Sequence, residues 1–367
     1  MSHTNLSFQP KSNPFEPGLL SRIKEPIKKI VALKASRIGD FINTTPAFRA
    51  IKKAYPQAEL SVITLPMLAD IAVRNPWIDR YLPFPGYPGL AEQLFDPLQT
   101  LQFLQQMQAE QFDLAIQIQG TGVYSNPFTL MLAARYTAGF IRSGDPAGRL
   151  DSAIPWPQQG HEIQRSLSLI QHLGIPSDGV KTDFYLNQQD QAGAFNLVQG
   201  CARPWIGLHP MARDPSRRWP TPRFIETARE LQRQQGGTIL LFGEENDRSE
   251  LEAHFQGSGL SYLNLAGQTS IATSGALFRL LNVLITNDSG PAHIAYSLDV
   301  PTIVLFGAGD PLRNGPLKDG PFHIIAHPVP CRPCEYHLCP IGLPCLESVS
   351  AREVSDIALR LMERRIT

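Results

Sequence analysis

The segment from Asn282 to Gly307, NVLITNDSGPAHIAYSLDVPTIVLFG, constrains the fold of this chain more than any other stretch. The apolar run at residues 283–285 predicts a short buried strand, and a second apolar run follows at residues 302–306. Between them, Pro291 suits the first position of a helix, with Gly290 as its N-cap. The segment therefore predicts a strand, a turn, a helix and a second strand, which is the repeating unit of a parallel α/β sheet.

The turn inside this segment has the features of an anion site, because a helix start carries partial positive charge and N–H groups without intrahelical partners. Ser289 adds a hydroxyl, Gly290 lets a ligand approach the backbone, and His293 adds a donor on the first turn. Asp288 would repel a phosphate, so we expect it to bind a ribose or sugar hydroxyl. The alternative is a turn that only caps an α/β crossover.

The rest of the chain repeats the alternation of strands and helices. A chain of 367 residues is long for one core, and one series of patterns begins at Lys29 and another at Trp205. We therefore expect two facing Rossmann-like domains with a deep cleft between them. The expected divisions are an N-terminal tail at 1–27, domains at 28–186 and 187–350, and a C-terminal helix at 351–367 that packs back on the first domain.

The composition excludes several partners and cofactors. Lys+Arg and Asp+Glu both number 33, so no general charge attracts nucleic acid.

The sequence has no apolar run of about 18 residues and no signal-peptide core, which predicts a soluble, cytoplasmic protein. An apolar patch at Phe15, Leu19 and Leu20 leaves open a peripheral contact with the inner membrane or with the protein itself. No G-x-G-x-x-G loop follows either opening strand, which argues against a nicotinamide or flavin domain, and the lack of a Walker A sequence argues against a P-loop nucleotide site.

The loop after the first strand, Ser36 to Asp40, is expected to lie opposite the Asp288 turn. Thr45 is expected to cap the helix that follows, with Pro46 in its first turn. Asp40 can act as a general base toward an acceptor hydroxyl, or it can simply complement a helix N-terminus. Ser36 and Arg37 can orient an acceptor that carries carboxylate or phosphate.

Two further loops after strands carry charge. In the loop at residues 207–220, Arg213, Arg217 and Arg218 can stabilise the charge on a departing diphosphate, or they can form a solvated face. After the next strand, Glu244 or Glu245 can accept hydrogen bonds from nucleoside or ribose hydroxyls, with a surface turn as the alternative.

Four of the five cysteines lie near the C-terminus in a C-x2-C-x4-C-x5-C arrangement: Cys331, Cys334, Cys339 and Cys345. This spacing can place four thiolates around a structural zinc or iron. Free thiols or a disulfide remain the alternatives, because the arrangement lacks a second C-x2-C pair.

Several motifs together resemble glycosyltransferase family 9, which includes the ADP-heptose:lipopolysaccharide heptosyltransferases. The resemblance extends from about Ile30 to Ile357 and is carried by the segments SRIGDFINTTPAFRAIKKAYP, FDLAIQIQG, HEIQRSLSLIQHLGIP, IGLHPMARDPSRRWP, NLAGQTS, TNDSGPAHIAYSLDVPTIVLFGAGDP and CRPC. It implies a GT-B fold and an inverting transfer that requires no metal. It also implies that Asp40 is the base.

The resemblance assigns further residues by position. It matches Asp288, Ser289, Gly290 and His293 to the donor-binding turn, and Gln119 and Gly120 to the acceptor side. Together with the residues inferred from the loops, the predicted donor side comprises Glu244, Glu245, Asp288, Ser289, Gly290, Pro291 and His293, and the predicted acceptor side comprises Ser36, Arg37, Gly39, Gln119 and Gly120. Arg217 stands where many relatives have a lysine that neutralises the donor phosphates, and an arginine is not an equivalent donor. The sequence TGVYSNP after Gln119 departs from the family pattern, in which a basic residue often follows.

These observations predict an enzyme that moves a heptose, or a similar sugar, from an ADP-type donor to a glycan or glycolipid acceptor. The alternatives are a non-catalytic glycan- or nucleotide-binding protein on the same fold, a transferase using another nucleotide sugar, and a sugar-nucleotide epimerase. Retention of Asp40 together with the whole turn at residues 288–293 argues against the non-catalytic alternative.

Overall fold

The computed structural model describes residues 13–90, 92–334 and 336–363 of the chain. They form two compact α/β units, which divide between Val180 and Lys181. The division lies a few residues before the predicted boundary, because the chain already packs on the second unit there: Thr182 Oγ1 lies 2.7 Å from Ser297 Oγ. Each unit contains a parallel six-stranded sheet, which confirms the α/β class expected from the sequence.

The first unit contains strands β1 (Lys29–Leu33), β2 (Glu59–Thr64), β3 (Arg80–Pro83), β4 (Leu114–Gln117), β5 (Tyr136–Ile141) and β6 (Ser152–Pro155). Its helices are α1 (Leu19–Arg22), α2 (Ile38–Ala54), α3 (Ala69–Arg74), α4 (Pro97–Glu110), α5 (Ser125–Met131) and α6 (Glu162–His172). The strand order in its sheet is β3-β2-β1-β4-β5-β6.

The second unit contains strands β7 (Trp205–His209), β8 (Thr238–Leu241), β9 (Tyr262–Asn264), β10 (Val283–Asn287), β11 (Thr302–Leu305) and β12 (Phe322–Ile325). Its helices are α7 (Gln188–Val198), α8 (Thr221–Gln235), α9 (Arg248–Phe255), α10 (Ile271–Leu280), α11 (Gly290–Ser297), α12 (Pro311–Asn314), α13 (Pro344–Glu347) and α14 (Ala351–Glu363). The strand order is β12-β11-β10-β7-β8-β9, so both sheets have the doubly wound order of Rossmann-like folds.

Three strands were not predicted from the sequence: β3, β6 and β12. All three lie at an edge of a sheet, where only one side of the strand pairs. Strands β3 and β6 end in proline and His323 interrupts β12, so all three lack the continuous apolar run that identifies a central strand. The runs at residues 283–285 and 302–306 predicted the central strands β10 and β11 to within two residues at each end.

Helix α2 begins at Ile38, seven residues before the predicted cap at Thr45. Pro46 therefore lies inside the helix, where it has no N–H for the carbonyl of Ile42. The hydroxyl of Thr45 donates to that carbonyl at 2.7 Å and satisfies it. The early start places Asp40 within the first helical turn rather than in a loop.

The C-terminal helix α14 was expected to pack on the first domain, and that expectation is corrected. It packs on α8 and on strands β10 and β11 of the second unit. Its buried face belongs to that unit's core: Ala351, Val354, Ile357, Ala358, Leu361 and Met362. Asn187, where the second domain was predicted to begin, is the N-cap of α7 and forms a capping box with Asp190.

Part of the predicted N-terminal tail packs on the first unit. Leu19 and Leu20 are buried, Gly18 N–H donates to His172 O at 2.7 Å, and Ala153 N–H donates to Pro14 O at 2.8 Å. Phe15 stays exposed. Residues 1–12 of that tail lie outside the described residues. No helix within the described residues combines the length and the apolar character that a membrane crossing requires.

Candidate functional site

In each sheet the direction of winding reverses between two neighbouring strands: β1 and β4 in the first unit, β10 and β7 in the second. Ligands of open α/β sheets bind beyond the carboxyl ends of such a strand pair. Leu33 pairs with Gln117, and Thr286 pairs with His209, so the residues that follow these pairs lie side by side. The predicted residues of β1 and β4 therefore share one sheet edge, and the turn after β10 lies at the corresponding edge of the second sheet.

The turn after β10 forms a helix start, as the sequence predicts, with a shift of one residue. Ser289 is the N-cap, and Gly290 and Pro291 are the first two residues of α11. The side chain of Ser289 makes no capping hydrogen bond within the described chain. The first N–H groups of the helix and the positive end of its dipole remain directed at this turn. His293 is 7% exposed and lies on the first turn of α11.

Arg217 joins this turn to the loop after β7. It ends a 3₁₀ turn at Pro215–Arg217, and its Nη1 donates to Asp288 Oδ2 at 3.0 Å. The Asp288 side chain is 3% exposed, whereas that of Arg217 is 26% exposed. Of the other arginines in the loop, Arg218 donates to the carbonyl of Ala212 at 2.6 Å. The structure thus brings Arg217 and the predicted donor turn together.

Asn287 is a functional candidate that sequence reasoning missed. It is fully buried, its Nδ2 donates to Pro210 O at 2.7 Å, and its Oδ1 accepts from Trp219 N–H at 3.0 Å. It therefore ties both sides of the Arg217 loop to the end of β10. The only feature of the sequence that could have identified Asn287 is its position directly before Asp288. The sequence alone does not show which loop the Asn287 side chain contacts.

His209 at the end of β7 was also missed. Its Nδ1 lies 3.4 Å from both Thr286 Oγ1 and Ser289 Oγ. Burial lowers the pKa of His209 to about 4, so the imidazole is neutral at neutral pH. A neutral ring beside Ser289 can accept one hydrogen bond and so help to orient the hydroxyl at the helix start.

Gly309 and Tyr296 border Asp288 as well. A Cβ at Gly309 would collide with Asp288 Oδ2, so only glycine leaves the carboxylate in place. The hydroxyl of Tyr296 is buried and has no hydrogen-bond partner within the described chain. Burial, and to a smaller extent the charge of Asp288, raises the pKa of Tyr296 well above its ordinary value. The surroundings of Asp288 are thus tightly packed.

Glu244 and Glu245 follow β8, the strand beside β7. Glu244 is the N-cap of a 3₁₀ turn at Glu245–Asp247 and forms a capping box with Asp247. Both glutamates are exposed, and Glu245 packs against Gly267. The structure gives them a local structural role, and it leaves their carboxylates open to a ligand.

In the first unit, Asp40 is the third residue of α2 and Gly39 is the second. Arg37 is the N-cap residue, and its Nε lies 2.7 Å from Glu92 Oε2. Arg37 therefore has a carboxylate partner in this structure, and an anionic acceptor would have to compete with Glu92. Asp40 is partly exposed, which a base that meets an external hydroxyl requires.

Ser36 and Gln119 lie in the loops that follow β1 and β4, and each has a buried polar atom without a partner in the described chain. These atoms are Ser36 Oγ and Gln119 Oε1. The Gln119 carbonyl accepts from Gln117 Nε2 at 2.6 Å and from Ser125 Oγ at 2.7 Å, which fixes the loop. Gly120 follows with φ of 59°, a conformation that favours glycine. Buried polar groups without partners mark places where a ligand can supply the missing bond.

In the described part of the chain, the cysteines do not form the four-thiolate site that was one of the interpretations of their spacing. No group of three or more His, Cys, Asp or Glu there is arranged to hold a metal ion. Cys345 lies in the hydrophobic core, which raises the pKa of its thiol, whereas Cys331 is exposed. All five cysteines are free thiols in this structure.

Residues 100–343 match the family model of glycosyltransferase family 9 (heptosyltransferase). The chain is 24% identical over 302 residues to the lipopolysaccharide core heptosyltransferase OpsX of Haemophilus influenzae. The aligned region covers 80% of this chain and 82% of that protein.

Two solved structures share the fold. The glycosyl transferase family 9 protein of Veillonella parvula superposes with a TM-score of 0.79 at 20% identity, covering 93% of this chain and 99% of that chain. The ADP-heptose lps heptosyltransferase II of E. coli gives a TM-score of 0.73 at 19% identity, covering 92% of this chain and 100% of that chain. The likeness confirms the GT-B fold class. Because the family model also matches more than half of the sequence, the chain belongs to glycosyltransferase family 9 and is a glycosyltransferase.

Proposed function

We propose that this enzyme transfers a heptose from an ADP-linked donor to a glycan acceptor of the lipopolysaccharide type. The observation that carries the proposal is the contact of Arg217 with Asp288 at the start of α11. A guanidinium and a helix N-terminus at one sheet edge form a site that is complementary to a diphosphate. Relatives named as lipopolysaccharide heptosyltransferases, and an E. coli structure whose name includes ADP-heptose, support the sugar and the acceptor class.

The proposed reaction is one displacement. Asp40 takes the proton from an acceptor hydroxyl as that oxygen attacks the anomeric carbon of the heptose. The bond from this carbon to the diphosphate oxygen breaks, and ADP leaves with the electron pair. The anomeric configuration is therefore inverted.

The donor residues have separate tasks in this proposal. Arg217 and the first turn of α11 stabilise the charge that develops on the leaving diphosphate. Asp288 accepts a hydrogen bond from a heptose hydroxyl, and Glu244 or Glu245 does the same for the ribose. The exposed position of Glu244, beyond the neighbouring strand β8, supports this arrangement, since the nucleoside extends away from the diphosphate.

The acceptor residues lie in the first unit. Ser36 Oγ exchanges a hydrogen bond with an acceptor hydroxyl, Gln119 Oε1 accepts one from an acceptor hydroxyl, and Arg37 binds an acidic group of the acceptor by exchanging its contact with Glu92. We also infer that the enzyme meets a glycolipid acceptor as a peripheral protein at the cytoplasmic face of the inner membrane. Co-sedimentation with vesicles that carry the glycolipid tests this location, and recovery only in the supernatant would contradict it.

The experiment that tests the function combines purified enzyme, ADP-heptose and a lipopolysaccharide core acceptor that lacks heptose. We expect ADP release that depends on the acceptor, a product heavier by one heptosyl group, and an anomeric configuration opposite to that of the donor. UDP-glucose and GDP-mannose serve as control donors. Turnover of a control donor in place of ADP-heptose would overturn the donor assignment, and nucleotide binding without any transfer would support a non-catalytic protein.

A further inference from the structure

The segment that contains the cysteines, residues 331–334 and 336–345, packs on the loop that carries Arg217. Ser216 N–H donates to His337 O at 3.2 Å, and the Ser216 hydroxyl donates to Tyr336 O. The segment is also fixed to the end of β11, since Cys334 N–H donates to Ala308 O at 3.1 Å and Arg332 Nη1 donates to Phe306 O at 3.2 Å. The segment thus connects the Arg217 loop with the end of strand β11 in the sheet of the second unit.

One side chain of this segment contacts the charges beside Arg217. His337 Nδ1 lies 2.8 Å from Asp214 Oδ1. An ionised carboxylate only accepts hydrogen bonds, so the imidazole donates in this contact. The other carboxylate oxygen, Asp214 Oδ2, lies 3.7 Å from Arg217 Nε. His337, Asp214, Arg217 and Asp288 therefore form a continuous row of polar contacts.

This row fixes the direction of the guanidinium. Arg217 meets Asp214 through Nε and Asp288 through Nη1, on two different sides of its planar head group. Its Nη2 has no hydrogen-bond partner among the residues that the structure describes, so its N–H groups are left for an anion. Because the guanidinium is planar, the hydrogen bond at Nη1 and the longer ion contact at Nε together restrict the direction in which Nη2 points.

We propose that His337 is a positioning residue, which holds Arg217 toward the donor diphosphate by anchoring Asp214. The proposal deepens the proposed function and rests on it. Without His337, the carboxylate of Asp214 is free to turn toward Arg217 and form a closer ion pair. A closer ion pair between Asp214 and Arg217 reduces the ability of Arg217 to bind phosphate. Loss of the His337 contact also makes the position of the Arg217 loop less fixed, which has the same effect.

The side chain of His337 is 66% exposed, so its contact with Asp214 adds little to the stability of the fold. The backbone contacts of Ser216 already anchor the loop. If His337 only stabilises the loop, its loss should affect ligands with and without a diphosphate alike. If His337 orients Arg217, its loss should weaken only the binding of ligands that carry a diphosphate.

The test is isothermal titration of ADP and of adenosine with wild type, His337→Ala, His337→Asn, Tyr336→Ala and Arg217→Ala. We expect His337→Ala to weaken ADP binding roughly three- to tenfold, since one hydrogen bond is lost, and to leave adenosine binding unchanged. His337→Asn restores ADP binding, because the asparagine Nδ2 replaces the imidazole Nδ1. Tyr336→Ala is the matched control, because Tyr336 contributes only its backbone carbonyl to the loop contact.

A double mutant decides whether His337 acts through Arg217. In the Arg217→Ala background, His337→Ala should have no further effect on the affinity for ADP. An equal further loss in that background, or equal losses for ADP and adenosine, would overturn the proposal and leave His337 a structural role. If Arg217→Ala weakens ADP binding and His337→Ala does not, only this inference fails. If wild type does not bind ADP, the proposed function itself fails.

Discussion

Arg217 and Asp288 form an ion pair at the carboxyl edge of the second sheet, with Nη1 and Oδ2 separated by 3.0 Å. The pair joins the loop after β7 to the turn after β10. Burial of a charged carboxylate is unfavourable unless a cation lies beside it. Arg217 therefore stabilises the carboxylate of Asp288 before any ligand is present. In the proposed function, an incoming diphosphate competes with Asp288 for the same guanidinium.

This competition predicts opposite effects of Asp288→Asn on two ligands. The variant removes the competing charge, so ADP should bind as tightly as to wild type or more tightly. It also removes the proposed partner of a heptose hydroxyl, so ADP-heptose should bind roughly tenfold more weakly. Isothermal titration of both ligands measures the difference. Equal losses for ADP and ADP-heptose would contradict the assignment of Asp288 to the sugar.

Gly309→Ala should displace the carboxylate of Asp288 without any change at Asp288 itself. The added Cβ collides with Oδ2, so we expect weaker ADP-heptose binding and a lower free energy of unfolding. Gly193→Ala in α7 is the control, because a Cβ there meets nothing within 4 Å among the described residues. It should stabilise the fold by about 0.5 to 1 kcal/mol and leave binding unchanged. Normal ADP-heptose binding by Gly309→Ala would show that the site tolerates a displaced carboxylate.

Ser36→Ala should separate acceptor binding from stability. The Ser36 hydroxyl has no partner in the described chain, so its removal should leave the free energy of unfolding unchanged or slightly higher. If the hydroxyl binds the acceptor, KM for the acceptor rises severalfold and KM for the donor does not. Ser152→Ala is a matched control, because Ser152 also has an unpartnered buried hydroxyl but lies at the amino end of β6. Equal kinetics for both variants would remove Ser36 from the acceptor site.

His209 should make the fold less stable in acid. Its pKa is about 4 in the folded protein and about 6.5 when unfolded, so between these values the unfolded chain binds the additional proton. The free energy of unfolding therefore falls as the pH drops from 6.5 through about 4, with a contribution of about 2 kcal/mol between pH 7 and pH 5.

Urea unfolding of wild type and His209→Asn at both pH values measures this contribution. The variant should lose about 2 kcal/mol less than wild type over this range. An identical loss in both proteins would show that His209 is not the group responsible.

The central part of each sheet was predictable from the sequence, because a buried parallel strand is a continuous apolar run. The run at residues 283–285 lies within β10, and the predicted helix after Pro291 corresponds to α11 with a shift of one residue. The edge strands β3, β6 and β12 lack this signal. The start of α2 was missed because Pro46 normally marks a first turn, and the sequence does not show that Thr45 satisfies the carbonyl left by it.

The candidate site was only partly predictable for a similar reason. The turn at residues 288–293 and Arg217 carry local patterns that identify them. Asn287, His209 and Gly309 gain their roles from neighbours that lie tens of residues away in the sequence. The contacts of Asn287 with Pro210 and Trp219 follow from strand order, and a local sequence pattern does not encode strand order.

Asp40 is the residue on which the proposed chemistry depends most. The first turn of α3 offers a matched control, since Asp70 is also a carboxylate in the first turn of a helix of the same unit. Replacing either with asparagine removes the favourable interaction with the helix dipole. Only the change at Asp40 removes the proposed base.

The most direct test is therefore the rate of heptosyl transfer at saturating ADP-heptose and acceptor for wild type, Asp40→Asn and Asp70→Asn. We predict that Asp40→Asn lowers kcat by about 10² to 10⁴ while the affinity for ADP-heptose stays unchanged. Asp70→Asn should keep the wild-type kcat. A kcat within a few-fold of wild type for Asp40→Asn would contradict the account, because the acceptor hydroxyl would then lose its proton to another group.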